Sequence, residues 1–204
     1  DQGLLTPFQY FGVDDPTDIS HVDFRAGRYS VPALEQIYTA DEHRAKQVLR
    51  ALAYRVRNPR TMRALGFCIS VNHAKFMAAV FNKKGLPALA VTGSTNDSER
   101  RTATQRLTAG ELCALFTVDV FNEGVDIPAV DTVLFLRPTE SATLYLQQLG
   151  RGLRLHERKS CLTVLDCIGR ANRRFRFDRR FRAMLGGGTR AEVREAIAEG
   201  FPRL

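Results

Sequence analysis

The chain has 204 residues, a length that suits one domain with appended segments, and a domain of this size buries roughly 70% of the surface that its unfolded chain exposes. With 44% hydrophobic and 25% charged residues, the composition is that of a globular protein and excludes wholesale disorder. Lys and Arg outnumber Asp and Glu by 30 to 22, and the resulting net charge of +8 favours a polyanionic partner, nucleic acid before a membrane.

The sequence carries no signal for a membrane or for secretion. No apolar run approaches the roughly 20 residues that a membrane helix needs, and the first residues form no apolar signal core. The absence of a starting Met suggests a fragment. The four cysteines form no CxxC pair, which is typical of reduced thiols in a cytoplasmic protein, and their spacing to the four histidines does not predict a metal site.

The first 40 residues are mostly irregular, with a short strand predicted over residues 8–13 and a helical pattern from Pro32. Asp41 is predicted to cap a helix that runs to about Arg57. Beyond this helix, apolar runs alternate with helical patterns. The apolar runs predict strands over residues 67–71, 88–91, 112–118, 130–136 and 161–166. The helical patterns predict helices over residues 72–84, 97–109, 141–149 and 190–199.

The five later strands are apolar along their length rather than at every second residue. Such strands are typical of a parallel sheet with helices on both faces, so the predicted fold class is α/β. Ligands of these sheets bind at the carboxyl ends of the strands. The polar residues that follow each strand are therefore the candidates for function.

A basic segment follows the predicted helix over residues 141–149. It reads Gln147-Gln148-Leu149-Gly150-Arg151-Gly152-Leu153-Arg154, and its two arginines, three residues apart, project to one side of a helix or its cap. Adjacent guanidinium groups repel each other unless an anion lies between them, and the planar fork of Arg suits phosphate. An isolated segment of this kind is usually a basic helix end on the surface, but its place after a strand–helix unit favours a phosphate site.

This segment resembles motif VI of the superfamily 2 helicases and translocases, which reads Gln-x-x-Gly-Arg-x-x-Arg. Residues 118–128 are similar to motif V of that family, residues 67–74 to motif IV, and Thr92-Gly93-Ser94 to the phosphate-contacting turn between them. The resemblance covers about residues 41–168 and implies a RecA-like domain there. Residues 1–40 are then expected to be a connector and residues 169–204 a basic extension. The segments at 137–141 and 165–166 are similar to a bacterial branch of the family associated with restriction and repair.

The resemblance implies half of an ATP site. In these motors ATP and Mg²⁺ lie between two RecA-like domains, of which the first holds the phosphates and magnesium and the second offers arginine to the γ-phosphate. It assigns Arg154 as the arginine finger, Arg151 as its partner and Gln147 as a residue that orients the phosphates. The nucleotide-contacting residues that it implies are Gly124, Asp126 and Gly150. From the residues alone, Gln147 could also be a surface amide and Asp126 a turn residue before a proline.

The resemblance also implies contacts with the nucleic-acid backbone. The residues concerned are Asn72, His73, Thr92, Gly93, Ser94, Thr117 and Asp119. A turn of small residues exposes amides and hydroxyls to a phosphate oxygen without obstruction. His73 could equally make a structural hydrogen bond in the first turn of its helix. The family often has Thr immediately before the motif V Asp, whereas here Val118 intervenes, so the chain departs from the pattern at this contact.

Two features limit the expected activity. The chain contains no GxxxxGK[ST] sequence and so lacks the loop that cradles the β- and γ-phosphates. Residues 41–44, Asp-Glu-His-Arg, are interpreted as a helix N-terminus and not as a magnesium-binding box, because no apolar strand precedes them. We therefore expect the second motor domain of a helicase, inactive as an ATPase alone, that acts with a first RecA-like domain on nucleic acid, DNA being favoured over RNA.

The alternative is a nucleic-acid-binding module without catalysis, whose motor motifs are vestigial. It would use the tail over residues 170–182, in which Arg alternates with Phe. Phe177 and Phe181 are four residues apart, however, and this spacing favours the packed face of a helix over a stacking surface for bases.

Overall fold

The fold is built on a central sheet of six parallel strands. The computed structural model describes residues 5–118, 127–184, 187–189, 191–192 and 195. The strands of the sheet are β1 (Phe8–Asp18), β4 (Ala64–Phe67), β5 (Ala88–Val91), β6 (Ala114–Thr117), β7 (Thr132–Phe135) and β8 (Leu162–Arg170), and their order across it is β1-β8-β7-β4-β6-β5. A short antiparallel hairpin, β2 (Phe24–Arg25) and β3 (Arg28–Tyr29), follows β1. The helices are α1 (Val31–Thr39), α2 (His43–Arg55), α3 (Val71–Lys83), α4 (Asp97–Ala109), α5 (Ala142–Gly150) and α6 (Asp178–Met184).

Helices cover both faces of the sheet, and two apolar cores result. One core joins the sheet to α2 and α3, and the other joins it to α4 and α5. Each strand supplies both cores because successive side chains point to opposite faces, as Ala64 and Leu65 of β4 do. The predicted α/β class and the RecA-like parallel sheet are thus confirmed. Within the described residues, no helix is long and apolar enough to span a membrane.

Local signals explain where the helices begin and end. The bounds of α4 agree with the prediction because Asn96 and Glu99 form a capping box and Gly110 ends the helix at φ 86. The strand predicted over residues 67–71 instead ends at Phe67. Ser70 leaves the sheet and caps α3, since its hydroxyl accepts a hydrogen bond from the His73 amide at 3.1 Å. Residues 41–44 do lead into a helix, but it begins at His43 with Glu42 in the N-cap position, one residue after the predicted cap. The Asp41 carboxylate still accepts from the His43 amide at 2.7 Å.

The expected connector over residues 1–40 needs a correction. β1 lies in this segment and pairs with β8 along its length, so it forms the outer strand of the sheet. The strand runs past Asp15, a poor strand residue, because Arg44 of α2 pairs with the Asp15 carboxylate at 2.6 Å. Both side chains are buried. The pair therefore satisfies two charges that the fold removes from water.

The expected basic extension is also partly built into the domain. β8 continues to Arg170, and α6 packs against α5 with Phe181 buried. A third apolar cluster joins the hairpin, α1 and the segment before α6, through Tyr29, Leu34 and Phe175. The packing interpretation of the tail phenylalanines is confirmed for Phe181. The helix predicted over residues 190–199 lies for the most part outside the described residues.

Candidate nucleotide and nucleic-acid sites

The segment that resembles motif VI lies at the amino edge of the sheet. α5 starts after the carboxyl end of β7, with the Ser141 hydroxyl accepting from the Leu144 amide, and runs back across the sheet. Gly152 follows the C-terminal end of α5 and lies at the amino edge of the sheet. A Cβ there would lie 2.6 Å from Leu162, the first residue of β8, and 3.1 Å from Val133 near the start of β7. Any larger residue here would require the buried Leu162 side chain to move.

Thr6 holds the turn that carries the two arginines. Its amide donates to the Leu153 carbonyl at 2.7 Å, and its hydroxyl donates to the Arg154 carbonyl at 2.9 Å. Thr6 is buried, at 3% exposure, so these bonds are shielded from competing water. The backbone of Arg154 is therefore fixed while its side chain is exposed at the surface.

Lys159 braces the same turn from the other side. Its ammonium group donates to three backbone carbonyls, those of Gly152 at 2.8 Å and of Pro128 and Val130 at 2.9 Å each. Lys159 is 8% exposed. Pro128 ends the segment that resembles motif V, so one buried cation ties that segment to the motif VI turn. Sequence reasoning missed this residue because a lysine in Glu-Arg-Lys-Ser has the pattern of a solvated loop.

The other predicted residues of this half-site differ in exposure. Arg151 is half-buried and Gln147 is exposed on α5. A Cβ on Gly150 would meet no described atom within 4 Å, so no steric need for glycine is evident there. The neighbouring Gln148 is buried, and neither polar atom of its amide has a hydrogen-bond partner among the residues that the structure describes. Gln148 is not among the residues predicted from the sequence.

Gly124 and Asp126, the nucleotide contacts expected in motif V, lie outside the described residues, as does Asp119. The two ends of this segment are described. Val118 follows the carboxyl end of β6, and Ile127 precedes β7 with its side chain buried. The segment that resembles motif V therefore begins at the carboxyl edge of the sheet and ends at the amino edge.

The described members of the set predicted to contact nucleic acid lie at or after the carboxyl ends of β4, β5 and β6. Phe67, Val91 and Thr117, the last residues of three adjacent strands, are level with one another in the sheet. The turn after β5 exposes Gly93 and Ser94. No atom of the described part of the chain lies within 4 Å of the position of a Cβ on Gly93, so a ligand has open access to this backbone.

Hydrogen bonds hold the turn after β5 in shape. The Thr92 hydroxyl lies 2.9 Å from the Ser94 hydroxyl, and the Thr92 amide donates to Thr95 at 2.9 Å. Thr92 itself is only 4% exposed, so it supports the turn from within. Arg100 of α4 reaches the Gly93 carbonyl at 3.2 Å and adds a cation beside the exposed turn.

Asn72 and Thr117 flank this turn in different ways. Asn72 is exposed in the first turn of α3, and its amide donates to Glu35 at 2.9 Å. Thr117 is fully buried at the end of β6, and its hydroxyl has no hydrogen-bond partner within residues 5–118 or the later described segments. An unsatisfied buried hydroxyl is uncommon and costs free energy. Thr117 therefore lies at the carboxyl edge, but its buried side chain does not reach solvent.

The expectation that His73 contacts nucleic acid is wrong for this structure. His73 is 0% exposed and lies against Tyr38, with ring centroids 5.3 Å apart. Its Nε2 is 3.5 Å from the Arg44 guanidinium, and the Ile69 amide donates to its Nδ1 at 3.4 Å. The structural alternative for this histidine is the correct one. Its imidazole joins α3 to the buried Arg44–Asp15 pair.

Burial, together with the Arg44 charge, lowers the pKa of His73 well below its ordinary value. The unfolded chain takes up a proton near pH 6.5, whereas the folded chain does not. Stability is therefore lost as the pH falls below about 6.5, by up to about 1.4 kcal/mol per pH unit from this residue. We expect the fall in unfolding free energy between pH 7.5 and 5.5 to be at least about 1 kcal/mol larger in the wild type than in His73→Gln. Denaturant titrations at the two pH values measure it, and equal falls would contradict the prediction.

A second buried polar network was not predicted. Asp166 of β8 accepts from the Tyr10 hydroxyl at 2.7 Å and pairs with Arg180 of α6 at 2.9 Å. Arg180 and Asp166 are each 2% exposed. Burial raises the pKa of Asp166, against the opposing effects of Arg180 and Tyr10. This network fixes α6 to β1 and β8, and α6 also packs against α5, the helix that leads to the motif VI turn.

Comparison with known proteins gives a consistent result. Residues 44–156 match the family described as the helicase conserved C-terminal domain. IRC3 of Saccharomyces cerevisiae, named an ATP-dependent helicase, is 28% identical over 169 residues, which are 83% of this chain and 24% of IRC3. The mitochondrial ATP-dependent helicase irc3 of Schizosaccharomyces pombe is 44% identical over 102 residues, 50% of this chain and 17% of that relative. The chain thus spans about a quarter or less of these relatives.

A solved structure shows the same fold. It is a fragment of an HsdR subunit of a type I restriction enzyme from Vibrio vulnificus, with a TM-score of 0.61, 24% identity, and coverage of 88% of this chain and 36% of that one. The family match extends over more than half of the chain, from α2 to the loop after the motif VI turn. The chain therefore belongs to the helicase conserved C-terminal domain family.

Proposed function

We propose that this chain is the second motor domain of an ATP-dependent helicase or translocase. It acts with a first RecA-like domain, which holds most of the ATP and Mg²⁺. Arg154 is the arginine finger of the assembled site, Arg151 its partner, and Gln147 an orienting residue. Gly124, Gly150 and Asp126 are nucleotide contacts in the same proposal.

The observation that carries this proposal is the fixed backbone of the arginine turn. Thr6 and Lys159 bind the backbone of residues 152–154 from two sides, through bonds of 2.7 to 2.9 Å. A finger must meet the charge that develops in the transition state without reorganising, and a preorganised turn meets that requirement. The two guanidinium groups also complement the negative charge of a nucleoside triphosphate.

The carboxyl edge is the nucleic-acid track in this proposal. Asn72, Gly93 and Ser94 contact the sugar-phosphate backbone of the nucleic acid. Thr92 and Thr117 support these residues from the interior, and Asp119 is a further contact. DNA is favoured over RNA, and a cytoplasmic location is expected from the cysteine pattern. Because α5 separates the arginine turn from this edge, closure of the ATP cleft would be transmitted to the track through α5 and motif V.

ATP hydrolysis tests the proposal directly. We expect nucleic acid to stimulate the ATPase of the full-length protein, whereas the 204-residue chain alone stays at background. If the chain bound nucleic acid but the full-length protein showed no stimulated hydrolysis, the binding-module alternative would replace the motor assignment. Comparing DNA and RNA of the same sequence as stimulating ligands tests the expected preference.

A further inference from the structure

A basic cavity of about 590 Å³ lies at the carboxyl edge of the sheet, beyond the residues assigned above. Three segments form it, and each follows the carboxyl end of a strand: the hairpin after β1, the loop after β7 and the segment after β8. The side chains and backbone that line it belong to Phe24, Arg25, Ala26, Gly27, Glu140, Arg174, Arg176 and Arg179. Four of these eight residues are arginines and one is an acid.

The arginines differ in how their charges are balanced. Arg176 makes two bonds of 2.7 Å to Asp178, and Arg25 lies 3.0 Å from Asp23. Arg179 is farther from its acid, with 3.8 Å between its guanidinium and Glu140. The Arg174 guanidinium has no ion-pair partner among the described residues and is exposed. Arg174 and Arg179 therefore offer charge and donors to an incoming anion.

Glu140 lies in the wall of the cavity, where Arg179 and a backbone donor balance its negative charge. Its carboxylate is buried, with 8% of the side chain exposed, and accepts a hydrogen bond from the Arg176 amide at 2.6 Å. It also lies close to Gly27, since a Cβ there would be 2.9 Å from a carboxylate oxygen. Its charge is thus enclosed between a backbone donor, the hairpin and the Arg179 guanidinium.

The hairpin presents an unusual backbone to the cavity. Ala26 has φ 49 and Gly27 has φ 77, the two left-handed residues of a tight turn that matches the twist of the strands. Alanine rarely adopts this conformation, and such outliers persist where the surroundings enforce them. Phe24, Tyr29 and Phe175 do so here, with ring centroids 4.7 to 6.0 Å apart. The hairpin and the segment between β8 and α6 are therefore one preformed unit.

The cavity and the proposed track lie on the same edge of the sheet. The cavity lies at the end of β1, β8 and β7, whereas the proposed track lies at the end of β4, β6 and β5. The centres of these halves are three strand spacings apart, about 14 Å, which corresponds to roughly four stacked nucleotides of one strand. We propose that the cavity binds a backbone phosphate of the nucleic acid that runs along this edge, through Arg174 and Arg179.

The proposal rests on the proposed function in one respect, the course of nucleic acid along the carboxyl edge, and its test needs no ATP. The binding of a fluorescent single-stranded oligonucleotide to the 204-residue chain is measured by anisotropy between 50 and 200 mM salt. For Arg174→Gln/Arg179→Gln we expect about tenfold weaker binding at the lowest salt. The slope of log K against log salt should also shrink by about 0.7 for each phosphate that the variant no longer neutralises.

The matched control removes two exposed arginines from elsewhere. Arg50→Gln/Arg57→Gln carries the same loss of charge on α2 and just beyond it. We expect the control to keep at least half of the wild-type affinity and to melt within about 1 °C of the wild type, because both of its side chains are exposed. Arg174→Gln/Arg179→Gln is compared at a temperature at which its melting curve shows that it is folded, since Arg179 lies 3.8 Å from the buried Glu140 carboxylate. Equal weakening by both double variants would overturn the proposal, since net charge and not the cavity would then govern binding.

Inorganic phosphate distinguishes a free anion from a backbone phosphate. If phosphate raised the melting temperature of the wild type but not of Arg174→Gln/Arg179→Gln, and oligonucleotide affinity were equal in the two proteins, the cavity would hold a free anion and the proposal would fail. A different result would contradict the proposed function. Absence of stimulated ATPase in the full-length protein would count against the motor and leave the oligonucleotide result standing.

Discussion

Arg154→Ala is expected to lower nucleic-acid-stimulated ATP turnover of the full-length protein by about 10²-fold or more, with ATP binding largely retained. The reason is that an arginine finger acts on charge that develops only in the transition state, so its loss lowers kcat more than it raises KM. The backbone of the turn should survive the change. Thr6 contacts the carbonyl of Arg154, which alanine also provides.

Arg158→Ala is the matched control for this experiment. Arg158 is exposed in the loop that follows the same turn and carries the same charge. Its substitution should leave kcat within about twofold, because an exposed arginine outside the cleft adds little to transition-state stabilisation. Near-normal turnover of Arg154→Ala would contradict the finger assignment. A similar loss in both variants would point to a general effect of charge near the cleft.

Parts of the fold could be predicted wherever the signals are local. α4 shows this best, because Asn96, Glu99 and Gly110 mark its two ends within the sequence that forms it. β1 shows the limit. The sequence predicts this strand only over residues 8–13, because Asp14 and Asp15 argue against its continuation. It extends to Asp18 because β8 supplies the partner and Arg44 the charge for Asp15.

The candidate site divides in the same way. The arginines of the motif VI turn could be identified from their spacing and their place after a strand–helix unit. The groups that fix them could not, because Thr6 and Arg154 are 148 positions apart, and Tyr10 and Asp166 are 156 apart. His73 is a related case. Its position in the sequence suits the track equally well, and only the packing of Tyr38 and Arg44 around it decides that it is interior.

Lys159→Met should be the most damaging substitution for stability at this site. Methionine keeps the length and apolar stem of lysine but removes the ammonium group that donates to three carbonyls. Hydrogen bonds to a charged group contribute about 1.5–3 kcal/mol each, and carbonyls left unpaired in the interior add a desolvation cost. We expect a loss of at least about 3 kcal/mol, since such contributions are not fully additive.

A loss of that size should lower the melting temperature of a chain of this length by about 6–12 °C. Lys75→Met is the control, because Lys75 is exposed on α3 and its substitution should change the unfolding free energy by less than about 0.5 kcal/mol. Denaturant unfolding of the three proteins measures the difference. A change below about 1 kcal/mol for Lys159→Met would mean that the carbonyls find other donors once the lysine is gone.

The Lys159→Met variant also tests whether catalysis by the arginines depends on the hydrogen bonds that Lys159 makes to the turn. In full-length Lys159→Met protein held well below its melting temperature, the arginines are present but the turn has lost its link to Pro128 and Val130. A preorganised finger loses catalytic power when its backbone is free to move. We therefore expect kcat to fall while ATP affinity changes less. Normal kcat in the folded variant would show that Thr6 alone suffices to hold the turn.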